Sequence, residues 1–316
     1  MTADVGWRSG IDSGALAARA RLLADIRVFM AEQGLLEVDT PLLSAAAPSE
    51  RALACLAVGE SGYLVPSPEH ALKRLLADDS GSLYQLGHVF RAGETGRWHN
   101  PEFTMLEWYG LGDDMPEAIG RLGALLRRLG VPSGQPPRRY RAVFRDAVGL
   151  DPLDADARAL ADYATRRGVA PVGAQAESDR VFWLDLLMAT CVQPTLGRYG
   201  AEIVTHFPAD DAVLVASDPD EARQALRFEC FWQGVELANG ARELTDAELA
   251  RQRMEREQAA RAAQASPVPP IDEALLAAMQ AGLPPCAGVA LGVDRLLALL
   301  QGFDTIAPVL PFAGAR

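Results

Sequence analysis

Cysteine is scarce in this chain, with four residues (Cys55, Cys191, Cys230 and Cys286) in 316. They are far apart and form no CxxC pair, which excludes a disulfide framework and a cysteine zinc site. Buried free thiols in a reducing cytoplasm are the expectation. Histidine is equally rare, and His70, His88, His99 and His206 are too scattered for a metal cluster. Basic charge is also short: the formal net charge is −12, which argues against a broad phosphate-binding surface of the kind that dominates nucleic-acid affinity. The first twelve residues contain no basic region followed by an apolar stretch, and Asp294 and Arg295 interrupt the apolar run near the C-terminus. No signal peptide or membrane span is therefore read, and a soluble, cytoplasmic protein is expected. Three familiar catalytic signatures are missing as well. Without a GxxxxGK[ST] loop or a Rossmann fingerprint, a nucleotide would have to be held by arginines and metal, and without a GxSxG elbow no serine nucleophile is marked.

What is present is a hydrophobic content of 49%, enough for a substantial core, and a series of local signals. Ala15 to Gln33 has helical apolar spacing and stops at Gly34. The segment "LLEVDTPLLS" follows as a short extended stretch broken by Pro41. In "SPEHALKRLL", Ser67 is read as an N-cap with Pro68 at the first helical position, so Glu69 falls in the first turn, where the helix dipole favours an anion. Leu83 to Phe90 and Glu102 to Tyr109 read as strands of a long-looped hairpin. "RFECFWQGVELANG" reads as a second hairpin around Gln233-Gly234, and Thr245 to Ala265 as a solvated helix closed by the linker "SPVPP". "SGQPPRR" is too short for a domain boundary and reads as a connection within one domain.

The first hairpin carries the densest chemistry. Its stretch "FRAGETGRWHNPEFTMLEWY" mixes arginines, glutamates, a histidine and aromatics. Strand alternation puts Phe103, Met105, Glu107 and Tyr109 on one face and Thr104, Leu106 and Trp108 on the other. The first set suits a site wall better than a core, because a buried carboxylate needs a partner and a cationic ligand would supply it. Arg91, at the mouth of the outgoing strand, can grip phosphate oxygens bidentately. In the second hairpin a loop of two or four residues puts Glu229 and Glu236 on one face, where two carboxylates need a cation such as magnesium between them. In "CAGVALGVDRLLALL" a strand passes through Gly292 into a helix that begins near Asp294, with Arg295 in its first turn, where free N–H groups favour phosphate. Each signal alone also fits a surface loop or ordinary packing.

Together the pieces resemble the class II aminoacyl-tRNA synthetases. "DTPLLS" is similar to their motif 1, the Phe90–Tyr109 stretch to motif 2 and "GVALGVDRLLALL" to motif 3, while "SPE" and "VELANGARELTD" resemble the lysine-type branch. The likeness covers the chain from about Arg19 onward. Motif 1 lies within forty residues of Met1, so no anticodon-binding OB domain is expected ahead of it. The nearest likeness is to the freestanding lysyl-tRNA synthetase paralogues that activate (R)-β-lysine and join it to a lysine side chain of translation elongation factor P.

The resemblance implies an α+β catalytic core of one domain spanning 1–316, an antiparallel sheet of six or seven strands flanked by helices, and a homodimer formed through motif 1. It implies ATP and Mg2+ as cofactors, β-lysine or lysine as substrate, elongation factor P as acceptor, and no role for tRNA. Carried over by position, Arg91 holds the α-phosphate and Arg295 the γ-phosphate, Phe103 stacks on adenine, and His99 and Asn100 complete the nucleotide loop. Glu229 and Glu236 hold magnesium, with Glu236, Leu237 and Gly292 lining the nucleotide. Ser67, Pro68, Glu69, Glu107, Tyr109, Glu243 and Ala290 surround the diamino acid. Three departures are visible. Ala92 and Gly93 replace the more frequent Asn-Glu after Arg91, so adenine can be met there only by backbone. His70 and Ala71 stand where bulkier residues are common. Ala290 occupies a position that is usually glycine in tRNA-charging enzymes and alanine in the ligases, and one methyl can discriminate isomers by about 1–3 kcal/mol. A truncated enzyme charging tRNA or another carrier shares every motif. A non-enzymatic binding platform does not accord with the retention of Arg91, Glu229, Glu236 and Arg295.

Overall fold

The structure, a computed structural model, describes residues 9–51, 53–171, 179–210 and 212–313. In chain order the elements are helix α1 (Ser13–Glu32), strands β1 (Leu36–Glu37), β2 (Leu43–Ser44), β3 (Leu56–Ala57) and β4 (Tyr63–Leu64), helix α2 (Glu69–Ala77), and strands β5 (Leu83–Phe90) and β6 (Glu102–Leu111). Helix α3 (Met115–Arg128), strand β7 (Arg138–Arg139), helices α4 (Tyr140–Val148), α5 (Ala157–Arg166) and α6 (Arg180–Leu187), and strands β8 (Glu202–Thr205), β9 (Arg227–Trp232) and β10 (Val235–Arg242) follow. Helices α7 (Ala247–Ala263) and α8 (Glu273–Gly282), strand β11 (Cys286–Gly292) and helix α9 (Val293–Leu300) complete the chain.

The chain divides into two compact units, Met1–Gly112 with Arg128–Gly130 and Thr245–Arg316, and Asp113–Arg127 with Val131–Leu244. In the first unit the strands run in the order β1-β5-β6-β11. β6 pairs antiparallel with β5 and with β11, whereas β1 pairs parallel with β5. β6 is buried on both faces. Leu106 and Trp108 are fully covered on one side, and Glu107 and Tyr109 are 3% exposed on the other. Helices α1 and α9 meet the Thr104 face through a three-way ionic knot. Arg19 in α1 reaches Asp294 in α9 at 2.5 Å and Thr104 Oγ1 at 2.5 Å, while Asp294 Oδ2 accepts from Thr104 N–H at 2.7 Å. Helix α1 itself begins at Asp12, whose carboxylate accepts from Ala15 N–H, and ends before Gly34 in the left-handed region at φ 74.

The start of α2 stands by the opposite face of β6, and its His70 is tied to Asp272 at the start of α8. Helix α7 is solvated along much of its surface, as expected, but buries one stripe made of Ala250, Met254, Glu257 and Arg261. Glu257 and Arg261 are both buried (5% exposed), because they bind a loop near residue 50: Glu257 holds Arg51 through its backbone and guanidinium, and Arg261 donates to the carbonyls of Ser49, Glu50 and Leu53.

In the second unit the strand order is β10-β9-β8-β7, antiparallel except for the parallel β7–β8 pair. The strand pairing is therefore antiparallel through the longest strands of each unit, as expected, with one short parallel pair in each. Helices α4, α5 and α6 bury Tyr140, Phe144, Leu160, Trp183 and Leu187 against Val204 and Phe231 of the strands. The β9–β10 turn is made by Gln233 and Gly234, both at positive φ (52 and 74), the two-residue geometry that matches strand twist. "SGQPPRR" leads into β7 within this unit.

Candidate active site

The first unit holds Ser67, Pro68, Glu69, Glu107, Tyr109 and Ala290, whereas Glu243 belongs to the second. Helix α2 begins one residue later than expected, at Glu69, with Pro68 at the cap position. Ser67 still accepts from Glu69 N–H at 3.0 Å, and its hydroxyl donates to Glu107 Oε2 at 2.7 Å. The other carboxylate oxygen of Glu107 accepts from Tyr109 O–H at 2.8 Å. In the ladder Ala290 lies directly opposite Glu107, Gly288 opposite Tyr109 and Gly292 opposite Met105. The neighbours of the Glu107 face on that side are thus glycine, alanine and glycine, the smallest side chains available. On the β5 side Gln85 pairs with Glu107, and its Oε1 accepts from Thr40 N–H and hydroxyl at 2.9 and 2.7 Å. This joins the "DTP" segment to the same face.

Glu69 is also paired within its own helix. Lys73, one turn on and fully buried, sits 2.6 Å from Glu69 Oε1 and 6.0 Å from the Tyr109 ring centroid. Burial opposes ionisation of Glu69, but Lys73 and His70 outweigh it and hold this carboxyl below its usual range. Lys73 escaped the sequence reading because a lysine four residues after a glutamate is ordinary helix patterning.

The nucleotide residues of this unit form a second group. Arg91 lies over the Phe103 ring, 5.1 Å from its centroid, and pairs with Glu94 at 3.5 Å. Arg295 donates from Nη2 to His99 Nε2 at 2.7 Å and from Nε to the Trp98 carbonyl at 3.1 Å, so the α9 arginine meets the β5–β6 loop directly. Asn100 turns back to the Glu102 carbonyl at 2.6 Å. Gly292 is the extended N-cap of α9 (φ −77), and the helix begins at Val293 with Asp294 buried beneath it. The backbone contact expected of Ala92 is not available from its N–H, which donates to the Ala54 carbonyl at 2.8 Å. Gly93 has open space where a Cβ would stand.

In the second unit Glu236 lies opposite Phe231, two residues from Glu229 on β9, so Glu229 and Glu236 share a face as the hairpin argument required. The register shifts between Glu236 and Ala238, and this bulge leaves Leu237 outside the ladder. It also sets Asn239 opposite Glu229, a neighbour the sequence reading did not name. Arg227 holds Glu229 at 2.6 Å. Glu243, just beyond β10, is buried and bridges to Val215. Among the described residues no group of three or more histidine, cysteine or acidic side chains is arranged to hold a metal by itself. A pair of carboxylates is what Mg2+ on nucleotide phosphates requires, since that ion takes one or two protein carboxylates and fills its shell with phosphate oxygens and water. Glu229 and Glu236 fit that role.

Within the first unit, an arginine on the β5–β6 loop beside Phe103, an α9 arginine beside His99 and a carboxylate lodged between a serine and a tyrosine are the features of a class II synthetase site. Residues 6–125 and 194–316 match the family described as tRNA synthetases class II (D, K and N), and the chain belongs to it. At full length the chain is similar to proteins named elongation factor P–(R)-beta-lysine ligase. It is 42% identical to the one from Sodalis glossinidius, over 100% of both chains. It is 40% identical to the one from Proteus mirabilis, over 99% of this chain and 98% of that one. The identity to the protein from Photorhabdus laumondii is also 40%, over 99% of each.

Proposed function

We propose that this protein is an ATP-dependent ligase that activates (R)-β-lysine, or lysine, as an aminoacyl-adenylate and transfers it to a lysine side chain of elongation factor P. The observation that carries the reading is the Ser67–Glu107–Tyr109 arrangement with Ala290 directly opposite Glu107, in a chain about 40% identical throughout to ligases of that name. A carboxylate-lined pocket suits a substrate with two ammonium groups, and the Ala290 methyl stands where it can discriminate between amine positions.

In the first step the substrate carboxylate attacks the α-phosphorus of ATP, forming the mixed anhydride and releasing pyrophosphate. Arg91 stabilises the charge that develops on the α-phosphoryl oxygens, and Arg295, steadied by His99, holds the γ-phosphate. Phe103 supports adenine. Glu229 and Glu236 would hold Mg2+, which would supply neutralisation of phosphate charge. In the second step the neutral amine of the acceptor lysine attacks the anhydride carbonyl, an amide bond forms, and AMP leaves. No side-chain nucleophile is needed, and positioning supplies much of the rate. Ser67, Pro68, Glu69, Glu107, Tyr109 and Glu243 are assigned to the amino acid.

The reading extends to a cytoplasmic homodimer that does not use tRNA. Dimerisation is supported by Leu36, Leu42 and Leu43, which expose 55, 39 and 43% of their surface around the motif 1 segment. Among the described residues no helix is long and apolar enough to cross a membrane.

The test is ATP–pyrophosphate exchange with (R)-β-lysine, (S)-β-lysine and lysine, followed by addition of elongation factor P or tRNA. Exchange driven by a diamino acid and label passing to elongation factor P is expected. Label passing only to tRNA would refute the acceptor, and absence of exchange with all three would refute the activity.

A further inference from the structure

Two carboxylates assigned above to the diamino acid already have donors within the first unit. Glu69 is paired with Lys73 at 2.6 Å, and both oxygens of Glu107 accept, from Ser67 and Tyr109. Glu50 differs from them. Its Oε2 is buried without a hydrogen-bond partner. A buried carboxylate oxygen left in this state is costly, and burial followed by the nearby Glu69 charge pushes the Glu50 carboxyl up from its usual range. The charges that act on it, Glu69, His70 and Lys73, all belong to the first turn and a half of α2.

The backbone around Glu50 is held from several sides. Arg261, itself buried, donates to the carbonyls of Ser49, Glu50 and Leu53, and Arg51 forms a two-pronged pair with Glu257. Farther along the loop Ala54 accepts from Ala92, the residue after Arg91. The Glu50 carboxylate also acts on the Cys55 thiol, as does Arg91. An acceptor that is buried, unmatched and fixed on such a frame is built for a donor that the chain does not itself supply.

We propose that Glu50 receives one ammonium group of the diamino-acid substrate and is a specificity-determining residue of the amino-acid pocket. The inference rests on the ligase reading above and names the residue that the second ammonium requires beyond the motif positions. A monoamino acid leaves this oxygen unmatched, so Glu50 rejects it by the cost of an unsatisfied buried carboxylate oxygen.

The experiment measures pyrophosphate exchange by the full chain and by Glu50→Gln and Glu50→Asp. Two analogues serve as competing inhibitors: 3-aminohexanoic acid, which lacks the terminal ammonium, and 6-aminohexanoic acid, which lacks the inner one. Glu50→Gln is expected to raise KM for the diamino acid about tenfold or more with KM for ATP unchanged, and Glu50→Asp to recover part of the loss. The same change should weaken one monoamine and spare the other. An unchanged KM for the diamino acid, or equal weakening of both monoamines, overturns the proposal. Should Glu50→Gln fail to fold, the same comparison is made with Glu50→Asp, and equal affinity for all three ligands overturns it. Wild-type exchange with a Gln variant that behaves identically removes this inference alone, whereas absence of wild-type exchange removes the ligase reading as well.

Discussion

Ser67 donates to Glu107 across 2.7 Å, linking the residue two before α2 to the middle of β6. Because Ser67 also accepts from Glu69 N–H, one hydroxyl sets the helix start and the orientation of a buried carboxylate. Ser67→Ala leaves that carboxylate oxygen short of a donor, at a cost of about 1–3 kcal/mol. The expected result is a rise of about tenfold in KM for the diamino acid, with KM for ATP little changed. Exchange kinetics at varied amino acid and varied ATP separate the two. An equal rise in both would mean that Ser67 acts on the whole site.

Arg91 lies against Phe103 at the mouth of β5, with its guanidinium paired only weakly to Glu94. Loss of a charge-stabilising donor of this kind typically costs about 100-fold or more in turnover. Arg91→Ala should therefore nearly abolish adenylate formation, while circular dichroism and the unfolding midpoint stay close to those of the parent. Retained exchange would remove Arg91 from the role given to it.

Asp294 is buried and satisfies both Arg19 and the Thr104 backbone. Asp294→Ala strands the Arg19 guanidinium, whose side chain is only 11% exposed, and breaking a buried pair on one side costs about 3–5 kcal/mol. A clear fall in the urea midpoint is expected. A variant as stable as the parent would show that water replaces the aspartate.

His70 and Asp272 form a pair at 3.1 Å joining α2 to α8. Burial works against a charged His70, but Asp272, Glu69 and Glu50 outweigh it and raise its titration above the usual value. For Asp272, burial opposes ionisation and the His70 partner prevails, so its carboxyl is lowered. A raised histidine contributes stability below its unfolded value that is lost as pH rises through the folded one. A lowered carboxylate contributes above its unfolded value and is lost as pH falls through the folded one. The pair should stabilise most between about pH 4 and about pH 6.5 and fade on either side. The difference in urea stability between the parent and His70→Gln, followed against pH, should be largest in that interval. A flat difference would refute the ionic pair.

Much of the site could be read from sequence where local chemistry is sufficient. Alternation along β6 separated Glu107 and Tyr109 from Leu106 and Trp108, and the two-residue turn at Gln233-Gly234 put Glu229 and Glu236 on one face. The shift that leaves Leu237 outside the ladder and sets Asn239 opposite Glu229 has no local sequence signal, because a bulge depends on what packs around the strand. The one-residue difference at the start of α2 has a similar origin: Ser67 serves Glu107 as well as the helix.

The sequence by itself determined helices α1, α2, α7 and α9, the two hairpins and the order of the motifs, since periodicity, turn residues and motif spacing operate over a few positions at a time. Tertiary structure alone decided which polar groups became partners. Arg19 and Asp294 are 275 positions apart, Arg261 reaches back to Ser49, and Glu50 is left with a buried oxygen and no donor. The reason is physical: whether a charge is satisfied depends on every element folded around it, and that environment exists only once the chain has closed upon itself.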